Sequence, residues 1–179
     1  IPDTSKELIN QIISHRTNSE ETISNKPQSY LNIQDYLIYW DKLQYNAKDK
    51  VISRWGKPLE SNQIEDCGFP INGITFGNIT ILIQANRGYE ADNLSDLHSP
   101  ELPPTHKYIA QYYWLYNTFK ANAIVHLGKH GSLEWLPGKG VGLSHNCFPF
   151  ILCPPIPNIY PFIVNDPGEG SQAKRRTHA

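Results

Sequence analysis

Between Val125 and Gly140 the chain reads VHLGKHGSLEWLPGKG, which places His126, His130 and Glu134 at intervals of four. Two imidazoles and a carboxylate make a ligand set for a borderline divalent cation such as Co2+ or Zn2+. The same three groups can accept protons near neutral pH. On one continuous helix they would share a face, but Gly128 and Gly131 interrupt that reading. The segment is better read with His126 at the end of a strand, His130 in a turn and Glu134 in the first turn of the next segment. Spacing alone leaves a further reading open, in which the histidines pack and cap a tight turn. The H-E-x-x-H pattern of zinc proteases is absent, so a metalloprotease is a poor match.

Two other stretches carry chemistry-bearing residues. PGKGVGLS, from Pro137, suggests a phosphate loop but lacks the G-x-x-x-x-G-K spacing, and Lys139 is followed by Gly140 rather than Ser or Thr. Its glycines are expected to permit close backbone approach. VNDPGEGSQAKRR, from Val164, reads as strand, turn and helix start. Backbone N–H groups at such a turn can bind an anion, and Lys174, Arg175 and Arg176 add positive charge. An exposed basic helix turn explains the same residues equally well. Cys67, Cys147 and Cys153 form no C-x-x-C pair. An odd, loosely spaced set argues against a disulfide framework and for a reducing cytoplasm. Cys147 and Cys153 are expected to be buried structural thiols rather than metal ligands.

The elements that must position these groups emerge from periodicity. Residues 1–30 are polar and read as a short helix near Lys6–His15 followed by a connector. IQDYLIYWDKLQYNAKDKVISRWG, from Ile33, reads as helix, with Asp35 as a cap and Tyr36, Leu37, Trp40 and Leu43 in an apolar stripe. Isoleucines at 79, 81 and 83 mark a strand over Asn78–Ala85. A loop rich in Asp, Asn, Ser and Pro comes next, of the length that in compact domains often carries function. Thr105 caps the clearest helix, whose stripe is Ile109, Tyr112, Leu115, Tyr116 and Phe119. That aromatic stripe suits core packing better than ligand stacking. NAIVHLG and the run ending at Asn165 read as two further strands. The fold class is therefore α/β, with glycine-rich loops at the carboxyl ends of strands, where such folds hold their chemistry.

The chain has 179 residues and a formal net charge of −1, which gives no reason to expect nucleic-acid or anionic-membrane binding across the surface. No apolar run approaches the roughly 18 residues of a membrane helix, and the N-terminus lacks the regions of a signal peptide. With no methionine and an end that stops as a helix begins, the chain reads as an interior piece of a longer one.

FGN, RGY, HSPELPPTHKY, HLGKHGSLEWLPGK and YPFIVNDPGEGSQAKRR occur in that order. In this the chain resembles the CobN-type large subunits of cobaltochelatase and, more weakly, the large subunit of magnesium chelatase. The resemblance is dense from Arg54 to Ala179 and extends toward Tyr30. Residues 1–30 are thus set apart as polar helix and connector, and 31–179 as part of a CobN/magnesium chelatase domain. Ala85 departs from the cobalt pattern, where a proline is common; the connector between Gly56 and Phe76 is also distinctive. The resemblance implies ATP-dependent insertion of Co2+ into hydrogenobyrinic acid a,c-diamide during cobalamin synthesis. It implies two smaller partners, an AAA+ ATPase and a second small subunit, with ATP and its Mg2+ on the partner. The lack of a Walker motif here fits that division. Under this reading Glu134 and one of His126 and His130 exchange water on the metal and take the pyrrole protons. Arg87, Lys174, Arg175 and Arg176 would pair with substrate carboxylates. Magnesium chelatase acting on protoporphyrin, a non-catalytic tetrapyrrole carrier or sensor, and a zinc hydrolase are the competing readings.

Overall fold

The computed structural model describes residues 2–88, 99–128, 131–153, 155–161 and 167–177. Helix α1 (Ser5–Ser14) is capped by Thr4, whose hydroxyl accepts from the Glu7 amide. Strand β1 (Ser29–Asn32) leads directly into α2 (Ile33–Lys42), and the cap there is Asn32, whose side-chain oxygen accepts from the Gln34 amide at 2.8 Å. The expected cap, Asp35, lies inside the first turn. The single helix expected through Trp55 is two. Leu43 and Gln44 adopt extended backbone, and α3 (Tyr45–Trp55) restarts so that Ala47 and Val51 are buried beside Tyr36 and Trp40. Gly56 ends α3 at φ 77°, a conformation that favours glycine.

Strands β2 (Gly68–Ile71), β3 (Gly73–Phe76) and β4 (Ile79–Leu82) come next. β1 pairs antiparallel with β2, and β3 with β4. Gly68 is obligatory in the first pair, because a Cβ there would lie 1.9 Å from the Leu31 carbonyl oxygen. Helix α4 (His106–Tyr113) starts at the expected cap, the Thr105 hydroxyl accepting from the Tyr108 amide at 3.1 Å, and runs on through a π-helical turn, Trp114–Thr118. Tyr108, Ile109, Tyr112 and Leu115 are buried in the core, and Tyr116 and Phe119 pack against it partly buried. Strands β5 (Ile124–Val125) and β6 (Asn158–Ile159) pair in parallel, with the short helix α5 (Phe148–Leu152) between them in sequence and α6 (Pro167–Arg176) after them. The fold mixes helices and strands as expected. Among the described residues, however, the strands form three separate pairs rather than one sheet. No helix among them is long and apolar enough to cross a membrane.

Buried polar side chains fasten these pieces together. Gln111 on α4 accepts from the Ala85 amide at 2.9 Å and donates to the Ile83 carbonyl at 3.1 Å, tying the chain after β4 to the helix. The Ala85 N–H is a donor that proline at this position would lack. His106 sits at 1% exposure with its Nε2 3.0 Å from the Gly56 carbonyl and its Nδ1 2.8 Å from the Tyr36 hydroxyl. A carbonyl only accepts, so Nε2 carries the proton and Nδ1 receives the tyrosine O–H.

Burial lowers the His106 pKa, and the Gly56 hydrogen bond offsets part of that effect. The unfolded chain, with an ordinary histidine pKa of about 6.5, therefore takes up a proton first as pH falls. The stability this neutral imidazole confers is complete above that value and declines below it, by at most about 1.4 kcal/mol per pH unit. Urea unfolding should show a lower midpoint at pH 5.5 than at pH 7.5, with a smaller difference in His106→Gln.

Candidate functional site

His126 directly follows β5 and Tyr160 directly follows β6, so two parallel strands deliver both residues at their carboxyl ends. The His126 amide donates to the Ile159 carbonyl at 2.8 Å, extending the pairing by one step. The imidazole stacks on the Tyr160 ring with centroids 4.3 Å apart and planes 17° from parallel. Its Nε2 lies 3.1 Å from the Asn158 side-chain oxygen. Burial lowers the His126 pKa, with the Asn158 contact acting in the opposite sense, so the ring is neutral at pH 7.

Glu134 lies in a single 3-10 turn, Leu133–Trp135, at 1% exposure. A carboxylate removed from water needs donors. One is the Tyr160 hydroxyl, 3.1 Å from Oε2. Burial, followed by the charge of Glu134, pushes the Tyr160 pKa far above its ordinary value, so the phenol stays protonated and donates. Tyr160 thus touches His126 with its ring face and Glu134 with its hydroxyl. Gly131 completes the fit. A Cβ there would come within 2.8 Å of Glu134 Oε2 and 2.9 Å of the Tyr160 ring. Beside it, the Ser132 hydroxyl is 2.8 Å from that of Tyr108.

The backbone around Glu134 is held by α6. Arg176, 2% exposed, donates to the carbonyls of Glu134 and Leu136, each at 2.8 Å. The Cys147 sulfur accepts from the amides of Lys139 and Ser144 at 3.3 Å each, gathering the glycine-rich loop after Pro137. Burial alone would raise the Cys147 pKa, but the Ser144 and Lys139 contacts outweigh it and the net shift is downward. At Gly138, φ 153°, an added Cβ would come within 2.7 Å of the Cys147 Cβ and 3.0 Å of its sulfur. The close approach implied by the composition holds at Gly138, whereas a Cβ at Gly140 or Gly142 would meet nothing within 4 Å; Cys147 and Cys153 are buried.

His126, Gly131 and Ser132 line one end of a cleft of about 1470 Å³. Its other walls come from Ile79 and Ile81 of β4, from Tyr112 and Leu115, and from Phe119 beyond the π-helical turn. That volume exceeds the roughly 300–1,000 Å³ of pockets for drug-sized ligands. Aliphatic and aromatic side chains alternate in these walls with polar ones such as Asn78, Gln84 and Asn122.

His126 and Glu134, two of the residues singled out by spacing, thus meet through Tyr160. His130 lies outside the described residues. Among those described, no group of three His, Cys, Asp or Glu side chains gathers as a metal site. The four cations divide. Lys174 and Arg175 are exposed on α6, whereas Arg176 and Arg87 are buried. Arg87 donates to the carbonyls of Ser99 at 3.0 Å and Leu102 at 2.9 Å, tying it to the segment ahead of α4. Tyr160 and Asn158 were not singled out from the sequence. Both lie in a run that reads as core strand, and only the β5–β6 pairing reveals that they flank His126.

A family model described as CobN/Magnesium Chelatase matches residues 1–179. The chain is 45% identical over its full length to the aerobic cobaltochelatase subunit CobN of Pseudomonas aeruginosa, of which it covers 14%. It is 36% identical, again over its full length, to the chloroplastic magnesium-chelatase subunit ChlH of Oryza sativa subsp. indica, covering 12% of that chain. In structure it resembles the catalytic subunit of cobaltochelatase from Mycobacterium tuberculosis, with a TM-score of 0.75 and 41% identity over 84% of this chain and 14% of the other. The chain therefore spans about one seventh of the length of its cobaltochelatase relatives, and it belongs to the CobN/magnesium chelatase family.

Proposed function

We propose that this chain is the part of a cobaltochelatase large subunit in which Co2+ enters the macrocycle. The observation that supports this reading is the His126–Tyr160–Glu134 assembly, whose His126 lines a cleft of about 1470 Å³. Metal insertion requires that the cation shed water, that pyrrolic N–H groups lose protons, and that the macrocycle be held meanwhile. A neutral imidazole replaces water on Co2+ without holding it irreversibly. The Glu134 carboxylate accepts the released protons, with Tyr160 holding its orientation. His130 belongs to the proposal as a second imidazole. The aliphatic and aromatic side chains of the cleft receive the ring, and Lys174 and Arg175 are the exposed cations offered to its carboxylates. The buried guanidinium groups of Arg87 and Arg176 hold loop carbonyls, and their role is positioning.

The substrate of this reading is hydrogenobyrinic acid a,c-diamide, and the setting is the cytoplasm. ATP, with its Mg2+, is hydrolysed on an AAA+ partner that acts with a second small subunit. Greater identity to the cobalt-named relative than to the magnesium-named one favours cobalt over magnesium.

Assayed in the full-length subunit with its partners, Glu134→Gln should lower the cobalt insertion rate by about 100-fold or more while the macrocycle still binds. An unchanged rate contradicts the acid–base role. Gly131→Ala should also slow insertion, because its methyl group displaces the Glu134 carboxylate and the Tyr160 ring, and it should destabilise the chain by about 1–3 kcal/mol. Gly140→Ala, where the added methyl group meets nothing within 4 Å, should leave rate and stability alone.

A further inference from the structure

The hydrogen bonds behind His126 determine which ring nitrogen faces the chemistry. The Asn158 amide nitrogen donates to the Ile156 carbonyl at 2.9 Å and to the Cys153 sulfur at 3.1 Å. A carbonyl oxygen cannot donate, so the amide cannot be turned the other way round without setting two oxygens against each other. The Asn158 oxygen is therefore the atom facing His126 Nε2 at 3.1 Å, and it only accepts. The Cys153 thiol in turn donates to the Thr177 carbonyl at 3.2 Å. The chain of donors runs in one direction, from His126 through Asn158 and Cys153 to the residue after α6. Asn158 is 5% exposed, so no bulk water competes for these contacts.

We propose that Asn158 is a positioning residue that holds His126 as the Nε2–H tautomer, so that Nδ1 is the atom that meets Co2+ or a pyrrole proton. The inference rests on the chelatase reading above and deepens it. His126 is then restrained on three sides. Its backbone is bonded to Ile159, its ring plane lies against Tyr160, and its Nε2–H is held by Asn158. Nδ1 has no hydrogen-bond partner among the described residues, and His126 lines the cleft. A histidine that binds a metal through one nitrogen commonly donates its other N–H to an oxygen, which fixes both tautomer and orientation. Asn158 supplies that oxygen without adding a charge.

The first test reads the tautomer directly. In the full-length subunit labelled with 15N-histidine, and assigned by comparison with His126→Gln, the ring proton of His126 should be on Nε2; a proton on Nδ1 overturns the proposal. The second test uses Asn158→Leu in the full-length subunit with its partners. Titration with Co2+ alone should give a Kd about 10–100-fold weaker than that of the unmodified subunit. The insertion rate should fall by a similar factor at unchanged KM for the macrocycle, and the substitution should cost nothing further in a His126→Gln background. An unchanged Kd and rate, or the same loss with His126 already replaced, overturns the proposal. Should Asn158→Leu not fold, the smaller Asn158→Ala, which also removes the acceptor, decides by the same measurements. Failure of the unmodified assembly to insert cobalt would contradict the chelatase reading instead, and the NMR measurement would still decide the tautomer.

Discussion

The structure turns on a carboxylate that has been taken out of water. Glu134 is 1% exposed, and a buried carboxylate is tolerated only where hydrogen bonds replace its hydration. That requirement accounts for several features around it. Tyr160 must stay protonated to donate, and its own burial ensures this. Gly131 must carry no side chain, because carboxylate and phenol occupy the space a methyl group would need. The 3-10 turn that bears Glu134 must not drift, and the buried Arg176 guanidinium holds it by two main-chain oxygens.

The same constraint links regions far apart in sequence. β5 and β6 form a parallel pair of two residues each, short for a sheet but sufficient to set His126 and Tyr160 side by side. Helix α6 reaches the site twice. Arg176 acts on the Glu134 turn, and the Thr177 carbonyl receives the thiol that backs Asn158 and His126. A displacement of the end of α6 would therefore disturb both the carboxylate and the imidazole. Gln111, which also lines the cleft, fastens the chain just after β4 to α4.

Much of this was legible in the residues. Thr105 and the stripe from Ile109 predicted α4, and the alternation around Ile79–Ile83 predicted β4, because both patterns report local periodicity and capping. The placement of His126 at a strand end followed from Ala123–Val125 ahead of Gly128. Features set by distant contacts were hidden. Nothing local marks the break at Leu43 and Gln44, which serves to bury Ala47 and Val51. β1 and β2, one of them containing Pro70, become strands only by pairing with each other. The basic run at the end of α6 read equally as an anion-binding turn and as an exposed basic turn, and both readings leave all three cations outward. Successive helical residues point about 100° apart, however, so one of three adjacent cations turned inward: Arg176 shares its buried side with Ala173. Asn158 and Tyr160 were unreadable as site residues for the same reason, since their partner His126 is brought near by a crossover rather than by spacing.

The most direct test of the central claim is binding rather than turnover. The full-length subunit is titrated with hydrogenobyrinic acid a,c-diamide and, separately, with protoporphyrin, following the absorbance and fluorescence of each macrocycle. Tight binding of the corrinoid and much weaker binding of protoporphyrin is the predicted result. Preference for protoporphyrin would assign the cleft to magnesium chemistry, and binding of neither would contradict the assignment of this cleft to a tetrapyrrole.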